Sequence, residues 1–163
     1  MKHITLPVFS DDGSLRTREV LEVAEVLPNR CSLLHSPAFV DGLAAGDLIE
    51  LDESERCGFR VIHRGGNVAV VVAFEQEADR AGEPVARLVR AMEALGGVPE
   101  GGPARMLVLT VPVRAGFPAV EKLLNGLARE LPGSHWWYGN VYERGDAARP
   151  LNWWNPDEGG RGG

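Results

Sequence analysis

Cysteine is scarce, positive charge is in deficit, and no apolar run is long. Cys31 and Cys57 are the two cysteines among 163 residues, too few for a disulfide scaffold. Each lies in an apolar stretch and is expected to act as a small buried hydrophobe. With His3, His35 and His63 they form no CxxC, HxxxH or HExxH spacing, so no metal and no cofactor is expected. His35, in His35-Ser36-Pro37, reads as a turn residue bonding a backbone carbonyl. Lysine and arginine total 17 against 23 acidic residues, a net charge of −6. That argues against nucleic acid as a partner, because phosphate binding needs surplus Lys and Arg. It argues equally against adhesion to an anionic membrane. The longest apolar run, residues 68–74, is seven long, whereas a helix needs about 20 to cross a bilayer. The opening MKHITLPVFSDD turns acidic too soon for a secretory signal. A cytoplasmic location with reduced thiols is expected.

What is present suits an ordinary folded domain: 44% hydrophobic and 25% charged residues. The length predicts one domain, or two small lobes sharing a core. Residues 1–75 read as a strand-rich lobe. Strands are expected at 3–9, with Ile4, Leu6 and Val8 on one face, and at 31–35, 48–51 and 59–63. Residues 18–27 repeat Val and Glu every third position; valine content and the Pro28-Asn29 turn favour a strand with irregular faces over a short helix. Arg64-Gly65-Gly66-Asn67 reads as a tight hairpin turn leading into a buried strand at 68–74.

Residues 68–143 read as a second lobe in which helices alternate with strands. A helix at 84–96 aligns Val85, Leu88, Val89, Met92 and Leu95, and one at 118–131 aligns Val120, Leu123, Leu124, Leu127 and Leu131. Pro84 and Pro118 suit the first turns; Gly96-Gly97 and Pro132-Gly133 suit the stops. Strands are expected at 105–113 and 135–143. Helical crossovers favour parallel neighbours. The fold class is therefore α+β: a strand-rich N-terminal half-barrel joined to a ferredoxin-like open sheet with two helices on one face. One strand of that sheet is missing from the pattern and is assigned to residues 59–63 or elsewhere. Residues 144–163 read as a tail whose last few residues are disordered.

Across residues 19–51, Ser36, Pro37, Phe39, Gly42, Ala44, Gly46 and Asp47 form an S/N-P-x-h-x-x-G-x-A-x-G-D loop before a strand. With the Arg64–Asn67 turn and the strand at 107–113, this resembles a small bacterial domain family of unknown function, over roughly residues 3 to 143. Where a Trp is expected after the first acidic residue of the stretch, Leu21 stands. The resemblance implies a stand-alone accessory protein and brings no catalytic residues.

No catalytic motif emerges. Ser10, Ser32, Ser36, Cys31 and Cys57 lie outside any G-x-S-x-G setting. The glycines of residues 42–46 sit between Asp41 and Asp47, which would repel an anion, so the loop reads as a turn with Asp47 bonding its own backbone. Two features remain as candidate partner-binding residues. One is the acidic turn of Glu50, Asp52, Glu53 and Glu55. The other is the tryptophan pairs Trp136-Trp137 and Trp153-Trp154. One member of the first pair must point out of a regular strand. The tail pair is expected either to cover it or to anchor a partner.

These features suggest a non-catalytic protein-binding module, of the kind an immunity-type inhibitor of a bacterial toxin would be. Its partner would be a co-encoded basic protein, because charge complementarity speeds encounter. The alternative is a small-molecule-sensing regulatory domain, which admits a homodimer.

Overall fold

The computed structural model describes residues 2–143 and 146–155. Its first lobe is an antiparallel meander of five strands: β1 (Lys2–Phe9), β2 (Leu15–Leu27), β3 (Arg30–Leu33), β4 (Leu48–Leu51) and β5 (Phe59–His63). Neighbours in sequence are neighbours in space, and β1 and β5 remain the two edges, so the barrel does not close. Residues 18–27 belong to a longer strand, β2. Leu21 and Val23 are buried while Val20 and Val26 are exposed, so the alternation of a one-faced strand overrides the three-residue repeat. Ile4, Leu6, Val8, Leu33, Ile49 and Phe59 join them in the core of this lobe, with Cys31, Val40 and Leu43.

The second lobe runs β6 (Asn67–Ala73), α1 (Glu83–Ala94), β7 (Val98–Gly101), β8 (Met106–Pro112), α2 (Phe117–Glu130) and β9 (His135–Tyr138). The sheet order is β7-β8-β6-β9. Each helix connects two strands that leave room for a third between them, which is the ferredoxin-like split βαβ arrangement. All pairings are antiparallel, which corrects the expectation of parallel neighbours. The crossovers do join strands of like direction, but the intervening strand separates each pair. The missing strand is β7, not residues 59–63. Val98 and Pro99 are exposed, so no alternating apolar pattern marked it.

Val85, Leu88 and Met92 of α1 and Val120, Leu124 and Leu127 of α2 bury against Val68, Val70, Val72, Leu107, Leu109 and Val111. Each side chain so buried contributes roughly 1.5–3 kcal/mol. The reverse face of the sheet, with Ala69, Val71 and Val108, is also buried. The loop of residues 34–47 docks there: Ser36 Oγ lies 2.6 Å from Thr110 Oγ1, and the Gly42 N–H donates to the Gly139 carbonyl at 2.7 Å.

Arg64 to Asn67 do not form a hairpin, since β5 and β6 belong to different sheets. They form the corner between the lobes. Asp47 is fully buried and accepts the N–H groups of Ala44 (3.0 Å) and Gly65 (2.9 Å) and the Arg64 guanidinium at 3.2 Å. Gly-Gly chemistry suits a primed turn, but here it lets the corner approach residues 42–47 closely.

In the tail β10 (Tyr142–Glu143) pairs antiparallel with β11 (Asp146–Pro150). The expected disorder of the last few residues lies outside the described residues. Among the described residues no helix is long and apolar enough to cross a membrane.

Candidate functional site

Strand β9 is short, aromatic and at the edge of its sheet. It begins after the turn that ends α2, where both the N–H and the hydroxyl of Ser134 donate to the Leu131 carbonyl. Alternation sends Trp136 and Tyr138 to the helix face, opposite Val72 and Val70, and Trp137 to the reverse face, opposite Val71. The helix-face pair is pinned. Trp136 Nε1 donates to Asn125 Oδ1 at 3.1 Å, and the Tyr138 hydroxyl donates to Glu121 Oε2 at 2.9 Å. The two rings meet edge to face at 5.2 Å, and Phe117 meets Tyr138 likewise at 5.5 Å. Burial, and then the neighbouring Glu121 carboxylate, push the Tyr138 phenol well above its ordinary range. Trp137 remains 40% exposed.

The strand stops at Tyr138, and Asn140, two residues on, is fully buried. Its side-chain oxygen accepts the Ala69 N–H at 2.9 Å, and its side-chain nitrogen donates to the Asn67 carbonyl at 2.9 Å. The side chain thus takes over ladder bonds that a continuing strand would have made, and it turns the chain outward. A cleft of about 610 Å³ follows. Trp136, Trp137, Tyr138 and Tyr142 supply its rings. Its acidic wall comes from four separate segments: Asp11 between β1 and β2, Asp41 in the docking loop, Glu121 on α2, and Glu143 and Asp146 on β10 and β11. No Lys or Arg is among its described lining residues. Aromatic faces and carboxylates favour the same kind of guest, a cationic group.

The residues chosen from sequence divide between this cleft and other places. Trp136 and Trp137 are in it. Trp153 and Trp154 are not: Trp153 Nε1 donates to the Asn140 carbonyl at 2.8 Å, and Trp154 meets Phe117 edge to face at 5.1 Å. The tail pair does dock, but over Phe117 and Asn140 and not over Trp137, so it leaves the outward member of the first pair open. The Arg64 guanidinium lies 5.6 Å from the Trp153 ring centre, joining the tail to the interlobe corner.

The acidic turn lies in the other lobe. Asp52, Glu53 and Glu55 border a second cleft of about 970 Å³, the gap between β1 and the turn where the meander stays open. Arg18 and Arg56 share that border, so its charge is mixed. Glu50 is engaged by Arg30 at 2.9 Å and by Arg60, and these arginines hold its carboxyl below the usual range. Asp52 accepts both the N–H and the hydroxyl of Ser54. Among the described residues His35 bonds no backbone carbonyl; its ring nitrogens meet Glu22 at 3.3 Å and Glu100 at 3.2 Å. Cys31 is buried as expected, whereas Cys57 is half-buried, with its thiol on the Phe59 carbonyl.

Tyr138, Asn140, Tyr142, Asp11, Asp41, Glu121, Glu143 and Asp146 were missed as site residues. The aromatic run of β9 was a usable signal. Nothing local marks carboxylates that only the topology gathers.

A family model described as a domain of unknown function, DUF4265, matches residues 19–136. No curated protein matches the chain. Among solved structures, a hypothetical protein from Neisseria gonorrhoeae is similar at a TM-score of 0.68 and 14% identity, over 85% of this chain and 93% of that one. At that identity the likeness concerns the fold.

Proposed function

The chain belongs to the domain-of-unknown-function family DUF4265, and from that premise we propose that it is a non-catalytic protein-binding module whose partner is a basic protein. The observation that carries the reading is Trp137, 40% exposed on a cleft whose charged described lining is entirely acidic. Exposed Trp is enriched where binding energy concentrates. A net charge of −6 steers a basic partner towards it. An immunity-type inhibitor covering a toxin's basic active site is the specific form this takes, because such a surface mimics the charge of an anionic substrate. Cytoplasmic action belongs to the same reading, and the unpaired Cys31 and Cys57 suit it.

The test is affinity capture on the tagged full chain, alongside its Trp137→Ala variant. The expected result is one stoichiometric basic protein retained by the parent chain, lost with Trp137→Ala and weakened by salt. Retention indifferent to Trp137, or no retained protein, overturns the reading.

A further inference from the structure

The cleft follows both sides of a sheet edge. Among the described residues β9 pairs with β6 and with no other strand. The Gly139 N–H donates to the Ala69 carbonyl at 2.8 Å, and the antiparallel register continues as Val71 with Trp137 and Ala73 with His135. Antiparallel positions alternate between pairs that exchange backbone bonds and pairs that do not. His135 and Trp137 therefore direct their N–H and C=O groups to β6. Trp136 and Tyr138 direct theirs away from it, into the cleft.

Both sides of this edge carry aromatic rings. Trp136 and Tyr138 stand with Glu121 on the helix side, and Trp137 stands on the side of the docking loop. An extended chain laid along the edge sends alternate side chains to the two sides, so cations at successive positions would meet rings on either side of an acidic cleft. Of the other outer strands, β7 carries Pro99 and β1 carries Pro7, and a proline removes a ladder N–H; β5 has no proline but carries Arg60, of like charge to a basic guest. β9 contains no proline.

We infer that β9 receives an extended, basic segment of the partner as an added strand, with the Trp136 and Tyr138 backbone forming the new ladder and Lys or Arg side chains seated alternately against the two sides of the cleft. This rests on the reading of the cleft as a protein-binding site.

The test uses the full chain with acetylated, amidated hexa-arginine as the probe. Indole signals report occupancy of the cleft, and amide hydrogen exchange reports the ladder. The expected result is a shift of the Trp136 and Trp137 indole signals together with slowing of exchange at the Trp136 and Tyr138 N–H groups by about tenfold or more. The Trp137 N–H, already directed to β6, is expected to change far less. A hexa-arginine methylated at every peptide nitrogen keeps the charge but loses its donors, and it is expected to bind at least about tenfold more weakly. Indole shifts without protection at Trp136 and Tyr138, or equal binding of the methylated peptide, overturn strand addition and spare the cleft. No indole shift with hexa-arginine overturns both.

Discussion

Gly65 lies against the backbone of Gly46, so close that a Cβ on Gly65 would fall 2.5 Å from the Gly46 carbonyl carbon and 2.8 Å from its Cα. This contact joins the lobes without a linker. The Gly65 N–H reaches the Asp47 carboxylate, and Asn67 Nδ2 reaches the Ala45 carbonyl at 2.8 Å. Backbone on both sides leaves nothing that can swing away. Gly65→Ala is therefore expected to cost about 1–3 kcal/mol or more of stability, read as a lower urea midpoint. Gly66→Ala is a control of a different kind: a Cβ there meets nothing within 4 Å, and any loss comes from its φ of +80°. Equal stability of Gly65→Ala and the parent would show that the backbone at Gly46 can give way without cost.

Asn140 is the polar residue on which the end of β9 turns. It is fully buried, and its side chain serves the Ala69 N–H and the Asn67 carbonyl. Asn140→Ala leaves both without their partner, and each buried unsatisfied group costs about 1–3 kcal/mol. Asn140→Asp keeps the acceptor for Ala69 but removes the donor to Asn67 and buries a carboxyl, so it is expected to be no better than Ala. Thermal unfolding of the two variants checks this. A melting temperature unchanged by Asn140→Ala would mean that β9 ends for another reason.

How far the sequence disclosed this arrangement depends on how local each cause is. Helices α1 and α2 announced themselves because Val85, Leu88 and Met92, like Val120, Leu124 and Leu127, recur at helical spacing and do face the sheet. β7 was hidden because its first two residues are exposed and it includes a proline and a glycine. Arg64 to Asn67 misled because turn chemistry describes what the backbone can do, and only the contact with Gly46 decides what it does. The outward Trp of β9 followed from alternation alone. The cleft around it did not, since Asp11, Asp41 and Glu121 are far apart in sequence.

Tyr138 ties stability to alkaline pH. Its folded pKa is raised above the ordinary value of 10.0, by burial first and by Glu121 second. A group raised in the folded state stabilises the fold fully below its unfolded pKa, and that contribution is lost as pH rises above it. Stability is expected to hold up to about pH 10 and then to fall, with the fall shallower in Tyr138→Phe, which has no phenol to ionise. Melting temperature against pH for the two proteins checks the sign. In the folded chain the Tyr138 contribution to absorbance at 295 nm is expected to be absent at pH 10.5 and to appear on unfolding. A Tyr138→Phe variant that declines as steeply as the parent would refute this linkage.

Neighbouring tryptophans on one strand are expected to fail differently. Trp136 bonds Asn125 and packs against Tyr138 and the helix-side core. Truncating a large aromatic in such a setting costs about 3 kcal/mol, somewhat less where the ring is half-buried. Trp137 points to the reverse face and is 40% exposed, so Trp137→Ala is expected to cost below about 1 kcal/mol. Urea unfolding followed by far-ultraviolet circular dichroism measures both without relying on the tryptophans themselves. The contrast matters because a large apolar ring exposed at little benefit to the fold is what the proposed binding role requires. Should Trp137→Ala destabilise as much as Trp136→Ala, the ring is a structural part of the lobe interface, and the cleft loses the residue that identifies it as a binding site.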